Sequence, residues 1–167
     1  MNEQYMTKNL ITEVVQAISD LPATNFQAEQ FNAEYEGMTF DFNGTTFKSR
    51  LVKKTPKKTG YFVAFWQKNE VNINIPFDEI TMQDKLILNI IDEEKRGQFI
   101  FPQQILVEQG VITSSKNKGK MGMRFYPSWE TNLNATAVKS QKWQVKYFVD
   151  LSHDEVDRER LRALYGV

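Results

Sequence analysis

The stretch from Met38 to Leu51 constrains the fold more than any other part of the chain. Met38-Thr-Phe40-Asp-Phe42 and Thr45-Thr-Phe47-Lys-Ser49-Arg-Leu51 alternate in character on either side of Asn43-Gly44. Both central positions of a type I′ turn need positive φ, which Asn and Gly accept most readily, so the pair predicts a two-residue β-hairpin. Fixing the turn fixes the register. Phe40 falls opposite Phe47, with Met38, Phe42 and Leu51 on the same apolar face, while Asp41, Lys48 and Arg50 are expected on the other, polar face. The apolar face needs cover. Ile11, Val14, Val15, Ile18 and Leu21 recur at helical spacing ahead of Pro22, so residues 4–20 read as an amphipathic helix packed on the sheet.

Two further stretches, Gly60–Lys68 and Leu86–Ile91, are apolar at both parities. That is the pattern of central strands buried on both sides. Residues 69–85 read as a connection. Gln98–Phe101 reads as a short strand feeding a helix that starts at Pro102, a favoured first helical position, and stops at Gly110. Ser114–Gly122 is a Lys/Gly/Ser loop, expected to be mobile, and Met123–Tyr126 a strand ending at Pro127. Asn134 is a candidate N-cap for a helix to about Phe148. Its expected apolar stripe is Ala135, Val138, Val145 and Val149, with Lys139, Trp143 and Lys146 on another face. Ser152-x-x-Glu155 is a capping box that would open a terminal helix.

These elements form an α/β or α+β layered domain, which periodicity alone does not separate. At 167 residues, 41 % of them apolar, the length prior gives one domain over residues 1–167 with a substantial core. The chain has no cysteine and one histidine, His153. That removes disulfide frameworks and thiolate or histidine-cluster metal sites, and His153, in the acidic first turn of the expected last helix, reads as a solvated side chain rather than the base of a Ser-His-Asp triad. No apolar run is long enough to span a bilayer, and Met1–Thr12 does not read as a signal peptide. A cytoplasmic protein is expected.

The formal net charge is zero, but the charges are segregated. Phe47–Lys68 holds seven basic residues (Lys48, Arg50, Lys53, Lys54, Lys57, Lys58, Lys68) and no acid. Residues 114–146 hold seven more (Lys116, Lys118, Lys120, Arg124, Lys139, Lys142, Lys146) against Glu130 alone. If these segments meet in space, they form a cationic surface that focuses anionic ligands.

Arg50-x-x-Lys53-x-Thr55-Pro56-x-Lys58-x-Gly60-x-Phe62-Val63-x-x-Trp66 resembles the signature of the MepB-like proteins of Gram-positive bacteria. Gly97–Pro102, Gly119–Pro127 and Ser140-Gln141-x-Trp143-Gln144 fit the same family, so the resemblance covers roughly residues 30–148. It implies a restriction-endonuclease-like fold, a mixed β-sheet with an N-terminal hairpin and helices on both faces.

On these residues the expected ligand is single-stranded RNA or DNA. Arg50, Lys53 and Lys58 around one turn, with Lys120 and Arg124 in and after the mobile loop, would meet phosphates, Arg as a fork and Lys as a point charge. Gln141, Trp143 and Gln144 would position or stack bases. Nucleases of the resembled fold carry an acid on one strand and acid-x-Lys on the next. Here Trp66-Gln67-Lys68 keeps the lysine and lacks the acid. The candidates for a catalytic Mg²⁺ or Mn²⁺ site are therefore Asp84 and Asp41 as metal ligands, with Lys68 beside them. Two non-enzymatic alternatives stay open: a pocket for a small anionic metabolite, and a surface for an acidic protein partner.

Overall fold

The computed structural model describes residues 5–167. Helix α1 (Met6–Ile18) leads to strand β1 (Thr24–Ala28), and the predicted hairpin follows as β2 (Met38–Phe42) and β3 (Thr45–Leu51). Asn43 and Gly44 have φ of 51° and 76°, both in the region the turn requires. Phe40 pairs with Phe47, their rings stacked with centroids 4.9 Å apart. A second hairpin turns at Pro56-Lys57 between β4 (Lys53–Thr55) and β5 (Lys58–Ala64), and β6 (Gln67–Lys68) with β7 (Asn74–Ile75) makes a short ribbon. Then come β8 (Lys85–Asp92), β9 (Lys95–Pro102), α2 (Gln103–Glu108), β10 (Gly122–Phe125), α3 (Ala135–Gln144), β11 (Phe148–Asp150) and α4 (Arg158–Tyr165).

Six strands form the main sheet in the order β1-β2-β3-β8-β9-β11. Only β3 and β8 run parallel; the other neighbours are antiparallel. On one face α1 and α4 lay Ile11, Val14, Ile18, Leu161 and Tyr165 over Phe40, Phe47, Ile87 and Ile100. On the other, Leu86, Leu88, Phe99 and Phe101 meet Tyr61, Val63 and Phe125 of a three-stranded sheet, β10-β5-β4. Leu106 of α2 and Trp143 of α3 pack into that same core. Each fully buried side chain of this size contributes about 2 kcal/mol by leaving water. The result is an α+β fold built on a mixed sheet with helices on both faces, the arrangement that the family resemblance implies.

A buried polar chain crosses the α1/α4 side of the sheet. Asn89 Nδ2 donates to Ser49 Oγ and to the Arg50 carbonyl, both at 2.9 Å. Gln98 Nε2 donates to Asn89 Oδ1 at 2.8 Å, and Tyr165 Oη donates to Gln98 Oε1 at 2.7 Å. Three strands and the last helix are thereby joined by complementary donors and acceptors, which tolerate burial only in this register. Burial pushes the Tyr165 hydroxyl well above the usual tyrosine range, against the opposing effect of its bond to Gln98.

Several expectations are corrected. Lys48 and Arg50 do lie opposite the Phe40 face, but that face is covered too: they are 1 % and 0 % exposed. Gly60–Lys68 is not a strand of the main sheet; β5 is the centre of the smaller one, which buries it just as thoroughly. The helix from Asn134 ends at Gln144, a 3-10 turn follows over Val145–Tyr147, and Phe148 starts β11. That change of phase takes Val149 off the expected stripe, and Val138 is 50 % exposed. Ser152 opens no helix; it bonds the backbone of Arg96, and Asp157 caps α4 instead. Residue 4, the expected start of the first helix, lies outside the described residues. Among the described residues, no helix is long and apolar enough to cross a membrane.

Candidate functional site

Helix α3 organises the cationic residues. Asn134 caps it, accepting from the Ala137 amide at 2.9 Å, so the sequence-predicted N-cap is in place. The end it caps borders a cleft of about 460 Å³ whose walls include Lys57, Lys58 and Arg124. Arg124 is delivered there by β10, which pairs antiparallel with β5. Its guanidinium donates to the Thr59 carbonyl at 3.1 Å and to Thr55 Oγ1, tying it to the turn that carries the two lysines. The unpaired amides of the helix N-terminus add partial positive charge to the same cleft.

Along its C-terminal half α3 borders a second cleft, of about 380 Å³, lined by Lys120, Lys139, Lys142, Lys146, Met123 and Trp143 among others. Lys139 and Lys142 lie three apart on α3, and Lys146 follows in the 3-10 turn at its end. Trp143 is half-buried, its ring centroid 5.3 Å from that of Phe101, and still lines the cleft. Among the described residues, no carboxylate lines either cleft. Lys57 and Lys58 of the first basic segment thus share a cleft with Arg124 of the second.

Other predicted contacts are placed differently. Arg50 is enclosed, its guanidinium bonded to Glu29, to Asn32 Oδ1 at 3.3 Å and to the Ser49 carbonyl at 3.0 Å, so it does not face an outside ligand. Glu29 Oε2 also accepts from Lys48 Nζ at 2.6 Å. Burial pulls the Lys48 ammonium down to about 8; Glu29 opposes that shift and Arg50 adds to it. Lys53 extends over the Tyr35 ring, 5.1 Å from its centroid, away from both clefts. Gln141 and Gln144 hold the segment after β10 rather than a base. Gln141 Nε2 donates to the Pro127 and Glu130 carbonyls, and the Gln144 amide spans Tyr126 N and the Arg124 carbonyl. Lys57 and Lys142 were not singled out by the sequence; for Lys142 the spacing along α3 is the signal that finds it.

Each of the three residues considered for metal chemistry has an uncharged hydrogen-bond partner. Asp41 Oδ2 accepts from Asn25 Nδ2 at 3.1 Å, and Asp84 Oδ2 from the amide and hydroxyl of Thr46 at 3.0 and 3.1 Å. Lys68 Nζ instead donates to Asn74 Oδ1 at 2.6 Å and lies over the Trp66 and Phe31 rings. Among the described residues no three His, Cys, Asp or Glu side chains group to hold a metal ion.

The MepB-like family matches residues 29–150, the span that carries both clefts and the main sheet from Glu29 onward. The chain belongs to that family. The crystal structure of MepB superposes with a TM-score of 0.78 at 42 % sequence identity, covering 90 % of this chain and 100 % of that one. A bacterial homing endonuclease gives a TM-score of 0.48 at 12 % identity over 84 % of this chain and 86 % of its own, too low to establish a common fold. Among curated proteins, none matches the sequence.

Proposed function

We propose that this MepB-like protein binds single-stranded nucleic acid, RNA or DNA, laid along α3. The carrying observation is that seven cations from separate segments (Lys57, Lys58, Lys120, Arg124, Lys139, Lys142, Lys146) line two clefts beside one helix, with no carboxylate lining them among the described residues. Cations gathered this way repel one another, and a polyanion relieves the repulsion while releasing counterions. Trp143 offers an aromatic face among the lysines, the arrangement in which a base stacks while its phosphates are neutralised. A single strand presents both groups at once; a duplex hides its base faces.

The test is fluorescence anisotropy of a labelled single-stranded oligonucleotide titrated at several salt concentrations, with EDTA present. The expected result is tight binding at low salt that weakens steeply as salt rises. Replacing Lys139, Lys142 and Lys146 together by Glu is expected to weaken binding at least tenfold and to flatten the log–log salt slope by about 2, at ~0.7 per lost phosphate contact. A folded triple variant that binds like the parent refutes the reading. A shallow salt dependence would favour a small anionic metabolite, and capture of acidic polypeptides but no oligonucleotide would favour a protein partner.

A further inference from the structure

A third cavity, of about 480 Å³, lies between the β2–β3 hairpin and the 66–83 connection and shares no lining residue with the two clefts beside α3. Its interior is built rather than incidental. Lys48 is 1 % exposed yet lines it, with Nζ 4.0 Å from the centroid of Phe77, another lining residue. Behind Lys48 lies Arg50, and both cations share one carboxylate, Glu29. Lys68 stands at the same cavity, and Glu29 is the one acid among its lining residues. Two buried cations thus face a single anion whose two oxygens are already engaged, with Lys68 a third, partly exposed cation on the cavity wall. A net positive charge held away from water is costly unless an anion joins it.

Two more features say what that anion carries. Phe31 and Trp66 stack with centroids 5.6 Å apart and both line the cavity, giving it an aromatic wall. Gln83, also on the wall, holds Oε1 buried with no hydrogen-bond donor in reach. Buried acceptors are rarely left empty, and a ligand N–H at this wall would supply the partner. An anionic group for Lys48 and Lys68, a flat ring for Trp66 and an amine for Gln83 are together the parts of one molecule. The volume lies in the usual range for small-ligand sites.

We propose that this cavity binds a nucleoside monophosphate whose base bears an exocyclic amine, its phosphate held by Lys48 and Lys68, its ring against Trp66 and its amine donating to Gln83 Oε1. The site is independent of the strand-binding surface along α3. Isothermal titration of the full-length protein with AMP, IMP and inorganic phosphate tests it. IMP differs from AMP in carrying a carbonyl where AMP has the amine. The expected result is one saturable site for AMP, at least tenfold weaker binding of both IMP and phosphate, and a tenfold or greater loss of AMP affinity in Lys48→Met. Lys68→Gln, a change at a partly exposed position, is expected to weaken AMP several-fold and keeps the test decisive if Lys48→Met does not fold. The Lys139→Glu/Lys142→Glu/Lys146→Glu variant should bind AMP within twofold of the parent, whatever its effect on oligonucleotides. No saturable AMP binding, equal affinity for AMP and IMP, or an AMP site lost with the α3 lysines would each overturn the proposal.

Discussion

Glu29→Gln is the most informative single substitution in this protein. Glu29 is the shared counterion of Lys48 and Arg50, neither of which reaches solvent. The amide keeps the shape and removes the charge, leaving two cations facing each other in the interior. Breaking a buried ion arrangement by removing one partner costs about 3–5 kcal/mol, most of it the desolvated charge left behind. The two survivors respond differently. A guanidinium does not give up its proton in a protein, but a buried ammonium can.

That difference gives the experiment a second axis. In the parent protein Lys48 is held down at about 8 by burial. Between pH 8 and 10 the unfolded chain therefore keeps a lysine proton that the folded chain has released. Stability rises with pH across that window, by up to roughly 3 kcal/mol at ~1.4 kcal/mol per unit. Lys85, also lowered by burial, acts in the same sense. Above pH 10 Tyr61 and Tyr165, both raised by burial and Tyr61 further by Asp92, keep protons that the unfolded chain loses, and stability falls again. Without Glu29 the Lys48 amine loses its favourable field and is neutral at lower pH. The penalty of Glu29→Gln is then largest near neutrality and smaller at pH 9.5. Urea unfolding followed by circular dichroism at pH 7 and pH 9.5 measures both quantities, and adding Lys48→Met should recover part of the loss. A penalty below about 1 kcal/mol, equal at the two pH values, would show that the cations are solvated and would sink the reasoning.

Two further outcomes follow from named contacts. Tyr165→Phe removes the donor to Gln98 Oε1 and leaves a buried acceptor empty, so denaturant unfolding should show a loss of about 1–3 kcal/mol; a neutral result would mean that water or a rotated Gln98 replaces the bond. Gly60→Ala and Gly44→Ala share a positive φ, 86° and 76°, but a Cβ at Gly60 would stand 2.6 Å from the Tyr126 ring, whereas one at Gly44 meets nothing within 4 Å. Thermal melts should place Gly44→Ala at about 1 kcal/mol and Gly60→Ala at about 2–4 kcal/mol, strain alone against strain plus overlap.

What could be read from the sequence was whatever depends on neighbours along the chain. The Asn43-Gly44 turn, the Phe40–Phe47 pairing, the periodicity of α1 and the cap at Asn134 are all set within a few residues, and all formed as read. Period two also separated Lys48 and Arg50 from the aromatic face correctly. It could not say that the second face would be covered as well, because the cover comes from β5, β10 and the 66–83 connection. The partner that makes their burial tolerable, Glu29, lies in a stretch without apolar periodicity, next to β1, which is mostly exposed and carries a register shift. β5 shows the same limit from the other side: burial on both faces marks a central strand without saying of which sheet. For the candidate site, the segregation of charge and the lysine–tryptophan face of α3 were legible. The division of the cations among two clefts beside α3 and a cavity beside the hairpin was not, since it depends on how distant segments pack.

Helices α1 and α4 lie together over one face of the main sheet although they are some 140 residues apart along the chain, and Arg162 Nε reaches the Ile18 carbonyl at 3.3 Å. This gives biosynthesis a particular order. The hairpin, β8 and β9 can pair while the chain is still being made, but the α1 side of their sheet waits for residues 158–165 to emerge. Until then Phe42 and Phe47, which α4 covers with Tyr165, stay open to the surroundings. Nascent chains halted before α4 would present an aromatic sheet face, the kind of surface that chaperones hold and proteases act upon, so quality control would sense the arrival of α4.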